Sequence, residues 1–246
     1  MVQVSDDRER RIREILEPLE KIETGEIAVA LGKGILSCVP YAGGLIAEIV
    51  GIKLPDYQMK RLRRFVAELA DDLEQLKTKI DSDYVRREEF VHIFQKTFRG
   101  VADNYQKEKL DALRAVLVNS CVIRDTDEQL KEYLVSIALE LGTLHLRIIR
   151  ILGNPTEFYA KNKLRDYTNE VGLGGSMIES LRVCLPDVPD DFVRSAWNDL
   201  YNRNLVSTEA RMLGAMLGSK GSRALEGTLT TLGKQLHVYI TNPVFR

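Results

Sequence analysis

Three histidines, three cysteines and a few glycine-bearing loops are where this chain could hold chemistry. Glu89 and His92 stand at the i, i+3 spacing of half a di-iron carboxylate site. Such a site takes a second Glu-x-x-His and further glutamates from facing helices, and the sequence has no second pair. His92 therefore reads as an ordinary residue beside a phenylalanine stripe. There is no HExxH, and no Cys/His set has zinc spacing. Cys38, Cys121 and Cys184 are far apart in apolar surroundings, an odd set without CxxC that reads as buried thiols in a reducing compartment. Gly172, Gly174 and Gly175 match a dinucleotide loop only in part: no strand precedes them and the third glycine is missing. Gly32-Lys33 and Gly233-Lys234 lack the Ser or Thr of a phosphate-binding loop. No nucleophile has a neighbouring base. The expectation is a protein that is not an enzyme, with no catalytic residue, no metal ligand and no cofactor.

The elements that would position any site are helical. Residues 27–52, IAVALGKGILSCVPYAGGLIAEIVGI, form the most apolar run, with only Lys33 and Glu48 charged and Pro40 dividing it into two arms. Gly43, Ala47 and Gly51 recur at i, i+4, i+8, and Gly32 and Gly34 repeat the small-residue spacing with Ala28 and Ala30. That spacing lets helix backbones approach closely, in lipid or in a protein core. Each arm, about 20 Å long at ~1.5 Å per residue, falls short of the roughly 30 Å hydrocarbon core. Constitutive spanning is not expected. A buried hairpin and a conditional membrane or oligomer contact both stay open.

Before the hairpin, residues 5–22 show a short amphipathic pattern kinked at Pro18. After it, Met59, Leu62, Val66, Leu69, Leu73, Leu76 and Ile80 follow alternating spacings of three and four, a heptad seam made to pack on another helix. Lys60, Arg61, Arg63 and Arg64 lie off the seam, where they offer contact to an anionic surface, with Glu68, Asp71, Asp72 and Glu74 nearby to balance them. Phe90, Phe94, Phe98 and Val101 share one helical stripe. Further helices are expected from Gln106 to Ile123, with Leu110, Leu113, Leu117 and Cys121 inward, and from a capping box at Thr126/Gln129.

From Gly142 the texture changes. GTLHLRIIRILG closes on Gly153, Asn154-Pro155 opens the next helix, and Ser176/Glu179 forms a second capping box. Asp190 is expected to cap DDFVRSAWNDLYNRN, with Phe192, Val193, Trp197 and Leu200 inward. Then come LVSTEA, a glycine-rich stretch and LTTLGKQLHVYI. Helix, helix, helix, short strand, loop and return is the order of a winged helix-turn-helix. The expected fold is thus mainly α: a helical bundle over residues 1–141 and a winged-helix domain with a small β-hairpin over 142–246. If the tail reads DNA, the contacts fall to Arg194, Asn198, Arg203, Lys220 and Arg223. Asp190, Asp191 and Asp199 outnumber the two arginines of the expected recognition helix, which disfavours nucleic acid and favours a protein contact. The whole-chain balance agrees: formal net charge −1 gives no global pull toward nucleic acid.

GTLHLRIIRIL, WNDLYNRNLVST and LTTLGKQL, set behind a helical body containing EKLDALRAVLVNSC, resemble the abortive-infection alpha family of bacterial helical proteins and its relatives with winged-helix tails. The likeness spans roughly residues 86–246 and leaves out the glycine-rich hairpin. It implies a bacterial protein connected with phage defence, with no catalytic residues to transfer. The functional expectation is a non-enzymatic effector or interaction protein of a defence or stress system, cytoplasmic at rest, with a protein partner or self-association and with the hairpin serving oligomerisation or conditional peripheral membrane contact. Two alternatives accompany it: a winged-helix transcriptional regulator dimerising through the 59–80 seam, and a scaffold subunit of a larger complex.

Overall fold

The computed structural model describes residues 56–81, 83–124, 126–166, 174–218 and 221–245. The 5–22 helix, the hairpin with Gly32, Gly34, Gly43, Ala47 and Gly51, Gly172 and Lys220 lie outside the described residues. Within them the protein is helical: α1 (Asp56–Gln75), α2 (Glu88–Asp103), α3 (Lys107–Val122), α4 (Glu128–Glu140), α5 (Thr143–Gly153), α6 (Pro155–Lys161), α7 (Met177–Cys184), α8 (Asp190–Asn202) and α9 (Thr231–Tyr239). Short 3-10 turns occupy Tyr84–Arg86, Ala210–Gly214, Gly221–Leu225 and Pro243–Phe245. None of these helices is long and apolar enough to cross a membrane. The chain divides into two compact units: described residues up to Tyr105 together with Ser120–Arg124, and Gln106–Asn119 together with the described residues from Thr126 onward. Residues 106–119 and 126–141, assigned from sequence to the N-terminal body, thus belong to the C-terminal unit.

In the first unit the heptad seam is the core. Met59, Leu62, Val66, Leu69, Leu73, Leu76 and Ile80 are all buried. Each such side chain contributes about 1.5–3 kcal/mol on full burial. The facing surface is the phenylalanine stripe of α2: Phe90, Phe94 and Phe98 are buried, with Phe94 and Phe98 stacked at 5.7 Å. Phe65 meets Phe98 edge-on at 6.1 Å and so joins α1 to α2. Asn104 ends α2, donating through Nδ2 to the Gly100 carbonyl at 2.7 Å.

In the second unit α5 is the central element. Leu144, Leu146, Ile148, Ile149, Ile151 and Leu152 are buried nearly all round its axis, which is how a helix enclosed by neighbours reads. It packs against α6, α8 and α9. Two polar side chains of α3 hold two other helix ends. Lys109 donates to the carbonyls of Ala138 (2.6 Å), Leu139 (2.8 Å) and Leu141, at the end of α4. Asn119 Nδ2 lies 3.0 Å from the carbonyls of Val238, Tyr239 and Thr241, at the end of α9. Both reach last-turn carbonyls, the groups that a helix end leaves short of intrahelical donors. The Ser176/Glu179 capping box is formed in both directions, at 3.3 and 2.8 Å. Asn154 caps α6 with Pro155 at its first position.

Four expectations are corrected. No strand occurs among the described residues, so the wing hairpin is not formed. Two isolated antiparallel bridges stand instead, Val206 with Leu229 and Gly175 with Leu217. The segment between Val206 and Leu229 has no alternating pattern to sustain a ladder, and it folds into 3-10 turns that bury Leu213, Ala224 and Leu225. The cap of α4 is Asp127, whose carboxylate accepts from Gln129 and Leu130 N–H, so the Thr126 box is not used. Pro189 holds the cap position of α8, and Asp190 in its first turn pairs with Arg182. Phe192 is 56% exposed, because Val193, Ala196, Trp197 and Leu200 define the buried stripe and leave it at the edge.

Candidate functional site

Among the described residues proposed from sequence for DNA contact, Arg194 and Arg203 are both taken up by internal contacts. Arg194 Nη1 donates to the Ala210 carbonyl at 3.1 Å, tying α8 to the 3-10 turn beside it. Arg203, following α8, meets Glu140 at 2.8 Å. Asn198 and Arg223 are exposed on different elements. Two of the three acids of α8 are engaged as well, Asp190 by Arg182 and Asp199 by His145 Nε2 at 3.3 Å. The Arg182 guanidinium holds the Asp190 carboxyl below the usual carboxylate range.

The basic cluster of α1 is split. Lys60 and Arg64, one turn apart, are exposed, and Glu68 continues the same face. Arg61 and Arg63 are half-buried, and Arg61 Nη2 reaches the Ala102 carbonyl at 3.5 Å. Two cations of the four therefore face solvent outright. His92 is exposed on α2, as an ordinary surface residue would be.

A polar cleft in the second unit brings together residues that sequence reading left scattered. It holds about 800 Å³ between α3, the end of α5, α6 and the residues closing α9. Arg114 comes from α3, Arg150 from α5, Lys161 from α6 and His237 from α9, with Asp111 and Glu157 between them. Arg150 is anchored: its Nη2 donates to the Ile240 carbonyl at 3.3 Å. Burial of its guanidinium pulls its proton affinity down, and the charges of Asp111 and Glu108 work against that. Arg114, with a side chain 12% exposed, lies 3.9 Å from a carboxylate oxygen of Asp111 one turn away. Glu157 is occupied locally, accepting from Asn154 Nδ2 at 2.7 Å.

The cleft wall depends on a close approach. Gly153 ends α5 beside the His237 imidazole, and a β-carbon there would fall on the ring. In the sequence Gly153 reads as a helix terminator and His237 as a lone histidine. The 84 residues of separation carry no signal that the two meet. Arg114 and Arg150 likewise sit in separate helical patterns with no shared motif.

Among the described residues no group of three or more His, Cys, Asp or Glu could hold a metal ion. Cys121 and Cys184 are buried thiols, both pushed upward by burial, Cys184 to about 11, so neither is a thiolate near neutral pH. Thr156, Ser222, Glu226 and Asp166 form a hydrogen-bonded set that joins α6 to the Gly221–Leu225 turn, without a histidine to activate the Ser222 hydroxyl. Comparison with protein-family models, curated proteins and solved structures finds no match to this chain.

Proposed function

We infer that this protein acts by contact rather than by a reaction of its own, as a helical effector or interaction protein of the bacterial defence or stress kind that its sequence resembles. In this reading the C-terminal unit docks on a protein partner, and residues 27–52 serve self-association or conditional membrane contact. The observation favouring this over a transcriptional regulator is the employment of the two α8-region arginines. Arg194 and Arg203 are spent on the Ala210 carbonyl and on Glu140, while Asp190, Asp191 and Asp199 share the helix. A DNA-reading helix must bring net positive charge to phosphates. This one would have to break internal contacts to free either cation.

The test is binding of the full chain to labelled duplex DNA and to phosphatidylserine liposomes at physiological ionic strength. No salt-sensitive duplex binding is expected. A footprint on a defined operator, weakened by Arg194→Ala and Arg203→Ala with the salt slope reduced by about one each, would overturn the reading. Liposome association that disappears on charge reversal of Lys60, Arg61, Arg63 and Arg64, with the melting temperature unchanged, would support the membrane arm. Each basic residue near an anionic surface is worth about 1 kcal/mol.

A further inference from the structure

We propose that one end of the α1–α2 pair, the end carrying Tyr57, Lys60, Arg64, Arg99 and Tyr105, docks on an anionic lipid bilayer. Such docking rests on the membrane arm of the reading above and gives it a contact surface in the described structure.

Packing brings these residues to one end. Arg61 reaches the Ala102 carbonyl, and Phe65, one turn along α1, meets Phe98, one turn back along α2. The helices are therefore antiparallel, and the start of α1 lies beside the close of α2. Tyr57, Lys60 and Arg64 stand at i, i+3 and i+7, on one face of α1, and all three are exposed. Arg99 is exposed on α2, and Tyr105 follows two positions after its last residue.

Charge is concentrated there. Residues 56–64 and 99–105 carry Lys60, Arg61, Arg63, Arg64 and Arg99 against Asp56 and Asp103, a surplus of three cations. One further turn of each helix adds Glu68 and Lys96, which cancel, and Lys107 and Glu108 beyond Tyr105 cancel as well. Arg63 is engaged within the structure, and leaving it out keeps a surplus of two. The next acid, Asp71, is two turns past Arg64, about 10 Å along the helix. That exceeds the Debye length of ~8 Å at physiological ionic strength, so an anionic surface at this end meets the cations with little opposition.

The tyrosines identify the surface as lipid. Tyr57 is 65% exposed and Tyr105 76%, and they are the exposed large hydrophobic side chains among the described residues of the first unit. Tyrosine rings settle at the headgroup level of a bilayer, with an apolar body and a wet hydroxyl. In the sequence the apolar residues 27–52 end four positions before α1 begins. An apolar run followed at once by a basic segment is the order that anionic lipids attract. A nucleic acid would use the same cations and have no use for the apolar run.

The experiment is sedimentation of the full chain with phosphatidylcholine vesicles and with mixed phosphatidylcholine–phosphatidylserine vesicles at physiological ionic strength. Association with the mixed vesicles alone is expected, weakening as salt is raised. Lys60→Gln, Arg64→Gln and Arg99→Gln should each weaken it about fivefold, the equivalent of ~1 kcal/mol per basic residue near such a surface. Melting temperatures should not change, since all three side chains are exposed. Arg86→Gln, exposed at the far end of the pair, should leave binding as it is. The chain's one tryptophan, Trp197, is fully buried, so the added emission of a Tyr57→Trp variant reports on this end and should shift to the blue on mixed vesicles. Vesicle binding in which Arg64→Gln loses no more than Arg86→Gln, or in which the blue shift is missing, would overturn the assignment to this end and leave the membrane arm standing. No binding to either vesicle would overturn both. Duplex DNA bound in preference to mixed vesicles, and lost in the same three variants, would give the surface to nucleic acid and overturn the lipid assignment.

Discussion

Gly153 and His237 are packed so closely that a β-carbon on Gly153 would lie 2.1 Å from ring atoms Cδ2 and Nε2 of the imidazole. Real β-carbons do not approach other heavy atoms that nearly, so one group must move. The ring is the end of a side chain and can rotate away, at the expense of the cleft wall it forms. Gly153→Ala gains helix propensity of up to about 1 kcal/mol and loses packing, with overpacking typically costing about 1–3 kcal/mol. A net drop in melting temperature is expected. Adding His237→Ala should return part of that loss, because the clash goes with the ring. Strict additivity of the two changes in a double-mutant cycle would show that the contact is not made.

Gly233 is the harsher case. A β-carbon there would sit 2.0 Å from the Leu205 carbonyl oxygen, which is backbone and cannot swing aside. The same carbonyl accepts from Thr230 N–H at 3.1 Å, next to the Val206–Leu229 bridge, so any shift breaks the pairing at the start of α9. Gly233→Ala should destabilise more than Gly153→Ala. Gly218→Ala, with nothing within 4 Å of its β-carbon, should be close to neutral. Thermal melts of the three variants check the ranking, and an equal effect at Gly218 and Gly233 contradicts it.

The seam offers a test in the first unit. Leu69 is 1% exposed among leucines and Lys77 is exposed with a salt bridge to Glu74. Leu69→Asp buries a carboxylate without a partner, which costs several kcal/mol or forces the helix open. Lys77→Ala should change denaturant midpoints little, as surface ion pairs are worth little. Similar midpoints for the two variants would mean that the seam does not bear on the fold.

What could be read beforehand follows from the range of the interactions. The seam, the phenylalanine stripe and the Ser176/Glu179 box depend on residues a turn apart, and the one-dimensional pattern contains them whole. Phe192 and Thr126 show the limit of that pattern. Helical spacing places Phe192 beside Val193, and only the neighbours of α8 decide where the buried stripe ends. Thr126 and Asp127 are both good caps, and the carboxylate that takes two N–H groups prevails. The missing wing has a related cause. The order of elements resembled a winged helix, yet a ladder needs alternating side chains that residues 207–228 do not supply. The cleft leaves no trace in the sequence because Gly153 is sufficiently explained as a terminator and Arg114 and Arg150 belong to separate helical patterns. The contact of Asn119 with the end of α9 spans about 120 positions and leaves no local trace.

Lys109 gives a pH test of one such long-range contact. Its side chain is 2% exposed beneath the last carbonyls of α4, and burial lowers its pKa from the ordinary 10.5 to about 8. Below pH 8 the lysine is charged in both folded and unfolded chains, and the desolvation cost is fully present. Between about 8 and 10.5 the unfolded chain still holds the proton that the folded one has released. The unfolded state then binds more protons, so this group makes stability rise with pH across that window. A neutral amine still donates to two of the carbonyls, so the α4 end stays capped. Lys109→Met removes the titration and leaves all three carbonyls without the side chain, costing about 1–3 kcal/mol near neutrality. Denaturant unfolding at intervals from pH 7 to 10.5 should show a steeper upward slope for the wild type than for Lys109→Met. Parallel curves would mean that the three carbonyls, at the negative end of the α4 dipole, hold the proton on Lys109 as firmly as water does.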